Sequence, residues 1–82
     1  MTTVTVRLFA RSRDLAGADF LAVDLPSGAT VSDVRRALAE RVPALEAFLP
    51  RCAIAVNEEF ADDSLAVPRD ADVALLPPVS GG

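Results

Sequence analysis

The feature that most constrains this chain is a change of hydrophobic period along its length. Residues Thr3 to Phe9 alternate, with Val4, Val6 and Leu8 on one face and Thr5, Arg7 and Phe9 on the other. That is the pattern of a half-buried strand. Leu21, Val23 and Leu25 repeat it within Phe20 to Leu25, and Pro26-Ser27-Gly28 closes the stretch with a turn. The period then lengthens: Val31, Val34 and Leu38, with Ala37 beside them, recur at helical spacing. Thr30 stands where this helix starts. Its hydroxyl can accept from the amide of Asp33, and Asp33 places negative charge at the helix N-terminus, a capping box with Asp in place of Glu. Pro43 ends the helix near Arg41, and Arg35, Arg36 and Glu40 are expected to face water.

The remaining segments are shorter. Arg11 to Ala16 reads as a brief helix stopped by Gly17. Leu45, Phe48 and Leu49 suggest a further apolar turn before Pro50, and Cys52 to Val56 is a short apolar strand. Asn57-Glu58-Glu59 turns that strand toward an extended piece around Phe60, and a last strand, Asp72 to Leu76, stops at Pro77-Pro78. A mixed sheet with its main helix packed across one face would bury every alternating set. The expected fold is therefore α+β, a β-grasp (ubiquitin-like) roll over residues 1–76, with a flexible C-terminal tail over 77–82. Eighty-two residues make one domain near the lower end of what a single core can stabilise, and 51% hydrophobic content supplies that core without staples.

Composition removes most chemistry from consideration. The chain has no histidine and no lysine, so the usual proton shuttle, Schiff-base amine and P-loop lysine are missing. A net charge of −4 without a basic stripe argues against nucleic acid and suits basic partner surfaces. Arg7, Arg11 and Arg13 read as a solvated surface balancing nearby acids, and Asp62, Asp63, Asp70 and Asp72 as loop and turn residues without the spacing of a calcium site. Cys52 lies in an apolar run and reads as a small core residue, not a reactive thiol. With no apolar run of about 20 residues, no secretory layout at Met1-Thr2-Thr3-Val4 and a single cysteine, the expectation is a cytoplasmic protein without membrane contact, metal or bound cofactor.

What remains is the end of the chain. Pro77-Pro78 cannot continue a sheet and favour an extended exit from it. The six residues Pro77, Pro78, Val79, Ser80, Gly81 and Gly82 span about 20 Å when extended, enough to enter a partner's buried site. Gly81 and Gly82 lack a Cβ, so they can thread a narrow channel and leave a terminal carboxylate open to close approach. A carboxylate is a poor electrophile and needs activation, for which adenylation by a separate ATP-using enzyme is the standard route. The tail by itself does not separate sulfur delivery from protein conjugation.

Three stretches carry a family resemblance: Leu8-Phe9-Ala10-Arg11-Ser12-Arg13-Asp14-Leu15-Ala16-Gly17, Ala55-Val56-Asn57, and Leu75-Leu76-Pro77-Pro78-Val79-Ser80-Gly81-Gly82. In order and spacing they resemble the small, sulfur-carrier subunits of molybdopterin synthase, a branch of the ubiquitin-like sulfur carriers. The resemblance implies that an adenylyltransferase similar to the ubiquitin-activating class uses ATP on the Gly82 carboxylate, and that a persulfide donor converts the adenylate to a thiocarboxylate. It implies further that the tail enters the large synthase subunit, in a heterotetramer, and gives sulfur to cyclic pyranopterin monophosphate. The catalytic groups for that transfer would belong to the large subunit. Combined with the strand alternation, the resemblance points to Phe9, Phe60 and Leu76 as an exposed apolar patch for that partner, although burial in the core competes for each. Sulfur carriers for thiamine, cysteine or tungsten-cofactor chemistry, a ubiquitin-like protein modifier and a plain interaction domain are the alternatives.

Overall fold

The computed structural model describes residues 2–77, and in them each change of hydrophobic period becomes an element. β1 (Thr2–Leu8) runs antiparallel to β2 (Phe20–Leu25), with Val4 opposite Val23 and Val6 opposite Leu21. α1 (Ala10–Ala16) connects them, and Gly17 stops it at φ 70° with its amide on the Arg13 carbonyl. Glycine meets that left-handed requirement without a Cβ penalty. α2 (Val31–Arg41) follows β2 and buries Val31, Val34 and Leu38 completely. Only the Asp33 half of the expected capping box forms: the Asp33 amide donates to the Thr30 carbonyl at 2.9 Å and not to the Thr30 hydroxyl. The Asp33 carboxylate accepts from the Thr30 amide at 2.9 Å and from the Thr30 hydroxyl at 3.2 Å.

The chain then crosses back through two 3₁₀ turns, Pro43–Leu45 and Leu49–Arg51, instead of the single apolar turn expected before Pro50. Pro43 opens the first and Pro50 is the second residue of the other, because proline's fixed φ suits the first turn of a helix and its missing N–H costs nothing there. β3 (Ala53–Val56), the two-residue β4 (Glu59–Phe60) and β5 (Val73–Leu76) complete a sheet of order β2-β1-β5-β3-β4. β5 lies in its centre, parallel to β1 and antiparallel to β3. The inward residues Val4, Val6, Leu8, Leu21, Val23, Leu25, Ile54, Val56, Val73 and Leu75 pack with α2 into one core. Fully burying each such aliphatic side chain contributes about 1.5–3 kcal/mol, and this is the main force holding α2 to the sheet.

One surface expectation fails. Arg35 does not face water: its side chain is 20% exposed, with Nε on Asp63 at 2.9 Å and Nη1 on the Leu49 carbonyl at 2.6 Å. It ties α2 to the second 3₁₀ turn and to the loop over residues 61–72. That loop also caps the helix, since its Asp63 and Leu65 carbonyls each accept at 3.0 Å, from the Ser32 and Val31 amides respectively. Two of the donors that an α-helix leaves unpaired at its N-terminus are thereby satisfied. Cys52 is buried in the core with its thiol on the Phe48 carbonyl, as a small hydrophobe would be.

Candidate functional site

The sheet has one face on α2 and one face free, and strand register decides which side chains meet on the free face. Phe20 pairs with Arg7, Arg7 with Ala74, Ala74 with Ala55, and Ala55 with Phe60. These five residues form one row across all five strands, pointing away from α2. Both ends of the row are aromatic and exposed, Phe20 at 56% and Phe60 at 79%, while the alanines between them keep the centre flat. Leu76 and Ala53 are paired on the same face one step along the strands, and Leu76 is half-buried. Phe9 keeps an extended backbone (φ −135°, ψ 154°), so it continues the alternation of β1 onto this face, where it is 39% exposed. The three residues singled out from the sequence, Phe9, Phe60 and Leu76, thus share a face. Phe20 joins them and was missed, although its place in the β2 alternation was the signal for it.

Each aromatic has a local support. Phe60 follows a two-residue turn in which Asn57 and Glu58 both hold positive φ, 52° and 69°, as tight hairpins require. Asn57 is fixed to Asp72: its amide donates to the Asp72 carbonyl at 2.7 Å and its side-chain oxygen accepts from the Asp72 amide at 2.9 Å. The Asp72 carboxylate in turn takes Nη2 of Arg7 at 2.9 Å, and the Arg7 guanidinium lies 6.0 Å from the centre of the Phe9 ring. Phe9 is the N-cap of α1 and has no side-chain oxygen to cap with, so Ser12 does the capping from inside the helix. Its hydroxyl accepts from the Phe9 amide at 3.2 Å and donates to the Phe9 carbonyl at 2.8 Å, and the residue is completely buried. No sequence signal marked Ser12, because its burial follows from tertiary packing, in which α1 lies against Pro43–Leu45.

No cluster of three or more metal-ligating side chains occurs among the described residues. Burial pushes the Cys52 thiol up from its ordinary value, with Arg35 opposing, so the sulfur stays protonated at neutral pH. The Asp33 carboxyl is held below its ordinary value chiefly by the Thr30 amide, with the Thr30 hydroxyl and Arg36 adding to it against some desolvation. This is a helix-cap interaction. A partly enclosed hollow of about 100 Å³ between Thr2, Leu25, Gly28, Val67 and Arg69 lies at the end of β1 remote from Leu76. Hollows along the free face are open depressions, the one between Arg7, Phe9, Arg13, Asp19 and Phe20 among them. β5 leads from the centre of the sheet into Pro77, which is half-buried. The expected tail residues Pro78, Val79, Ser80, Gly81 and Gly82 lie outside the described residues.

Known proteins share this fold. The chain is 38% identical to the molybdopterin synthase sulfur carrier subunit of Arabidopsis thaliana, over 96% of this chain and 82% of the relative. Among solved structures, the small archaeal modifier protein 1 of Haloferax volcanii superposes with a TM-score of 0.89 at 30% identity, covering 96% of this chain and all of that one. A subunit of the Helicobacter pylori molybdopterin-converting factor, solved as a complex of subunits 1 and 2, superposes with a TM-score of 0.69 at 26% identity over 99% of this chain and 100% of its own. With residues 6–82 matching the ThiS family, on top of a β-grasp sheet and the likeness to sulfur carriers along nearly its whole length, the chain belongs to that family.

Proposed function

We propose that this protein is the sulfur-carrier subunit of a molybdopterin synthase, with the Gly82 carboxylate as its reacting group. The observation that carries the reading is the match to molybdopterin synthase sulfur carriers, which extends along the chain through a family match ending at residue 82. The fold supports it by the surface it supplies. The sheet presents aromatic residues on an open face, as a surface that docks on a partner would.

The chemistry then runs through the tail. An adenylyltransferase of the ubiquitin-activating kind joins the Gly82 carboxylate to AMP from ATP, releasing pyrophosphate. The outer sulfur of a persulfide donor displaces AMP to give an acyl disulfide. A thiol then cleaves its S–S bond, forming a disulfide with the donor sulfur and freeing the thiocarboxylate that carries sulfur into the large subunit for cyclic pyranopterin monophosphate. The free face, with Phe9, Phe60 and Leu76, docks on that subunit while Pro77, Pro78, Val79, Ser80 and Gly81 span the distance to its active site. This chain's residues bind, aim and extend; the groups that move protons in the transfer belong to the partner.

Intact mass after incubation with the activating enzyme, ATP and a sulfur donor tests the reading. The expected result is replacement of one terminal oxygen by sulfur, lost on deletion of Gly82. An unchanged mass under conditions that thiolate a known carrier would overturn it. The likeness to a small archaeal modifier protein favours conjugation as a second reading. Covalent adducts on lysines of other proteins, with no thiocarboxylate form detected, would select it.

A further inference from the structure

We infer that Ser12 is a positioning residue for docking, acting on the partner only through Phe9. The inference rests on the reading above, in which Phe9 lies on the docking face. Three local irregularities meet at this corner. The N-cap position of α1 holds a phenylalanine, where a side-chain oxygen is the rule. Ala10 follows at φ 50°, a left-handed conformation that disfavours any residue with a Cβ. Ser12 is completely buried, and both of its side-chain hydrogen bonds go to the Phe9 backbone, one accepted at 3.2 Å and one donated at 2.8 Å. A chain selected for helix stability alone would put serine at position 9 and gain the cap directly. Here the hydroxyl at position 12 instead holds the amide and carbonyl of position 9, and the side chain at position 9 is released to the surface as an aromatic ring.

Local rules broken together, with a dedicated repair, mark sites kept for function. The hydroxyl holds the Phe9 peptide groups from beneath, and the Arg7 guanidinium stands 6.0 Å from the ring. Without the hydroxyl, the Phe9 amide loses its side-chain partner and the first turn of α1 is free to adopt a conventional start, which re-aims the ring. Ser12 itself is out of a partner's reach.

A double-mutant cycle on the full-length chain separates positioning from stability. Affinity for the large subunit is measured for wild type, Ser12→Ala, Phe9→Ala and the double variant, with thermal melting of each alongside. The expected result is about a tenfold weakening for Ser12→Ala, the size of one buried hydrogen bond. A larger loss is expected for Phe9→Ala, and no further loss when Ser12→Ala is added to it. Should Ser12→Ala fail to fold, Ser12→Cys, a weaker donor and acceptor of similar size, is carried through the same cycle with a smaller loss expected. Wild-type affinity in the Ser12 variant, or a loss that adds in full to that of Phe9→Ala, overturns the inference and leaves the docking face standing. Wild-type affinity in Phe9→Ala overturns the docking reading and the inference with it.

Discussion

Glu58 sits in a conformation that suits its neighbour Asn57 better than itself. At φ 69° its Cβ is crowded, and unlike asparagine it has no short side chain to bond locally in compensation. Glu58→Gly is therefore expected to stabilise the fold by about 0.5 kcal/mol, the relieved left-handed cost exceeding glycine's extra chain entropy. Urea denaturation reads this as a higher midpoint at unchanged slope. Phe60, two residues on, behaves oppositely: at 79% exposed it contributes little to the core. Phe60→Asp should change stability by no more than about 0.5 kcal/mol. It should nevertheless abolish measurable binding to the large subunit in a pull-down or titration. Retained binding by a folded Phe60→Asp protein would remove Phe60 from the docking face.

Among the elements, α2 shows how local and tertiary caps combine. Thr30 and Asp33 provide the side-chain half, and the loop carbonyls of Asp63 and Leu65 provide the rest. Because the Asp33 carboxyl is held below its ordinary value, first by the Thr30 amide, its ionised form is favoured in the folded state. The sign follows: its contribution is fully present above the ordinary aspartate value of about 3.9, and it is lost as pH falls through the lower folded value. Asp33→Asn should thus be less stable than wild type at neutral pH, and the gap should close as acid titration proceeds below pH of about 4. Parallel melting series at stepped pH check this, and a gap that widens in acid would contradict it. Arg35 belongs to the same element and is its least conventional residue, since a surface-spaced arginine has become the link between α2, the second 3₁₀ turn and the loop.

For the whole molecule, β5 is both the centre of the sheet and the stalk of the tail. Leu75 is completely buried opposite Leu8 on one side and Ile54 on the other. Leu75→Ala should cost about 2–5 kcal/mol, a large share of the roughly 5–15 kcal/mol that stabilises a typical domain. Sulfur-transfer activity should fall with the folded fraction in denaturant and recover at lower temperature, as a stability defect would. A loss of activity in fully folded Leu75→Ala protein would show instead that β5 must hold its position for the tail to reach. In size and construction the domain is a platform: one face makes the core with α2, and the other stays open.

The alternations of Val4, Val6, Leu8 and of Leu21, Val23, Leu25, the helical repeat of α2 and the Thr30 cap were legible from residue order alone, because strand and helix periods are local properties. The same alternation assigned Phe9 and Leu76 to the side opposite the core, and elimination of histidine and lysine directed attention to the Gly81-Gly82 end. What residue order could not contain was distance between segments far apart in the chain. Only pairing of β1 with β5, and of β5 with β3, brings Phe20, Arg7 and Phe60 into one row. Ser12 is buried only once α1 packs into the fold, against Pro43–Leu45 among others, and Arg35 leaves water only where the Leu49 carbonyl and the loop over residues 61–72 meet α2. The sequence determined which elements form and which face of each is apolar, since those depend on neighbours within a few residues. The tertiary structure decided which surfaces share an edge, since that depends on strand register and on loops whose ends meet across the fold.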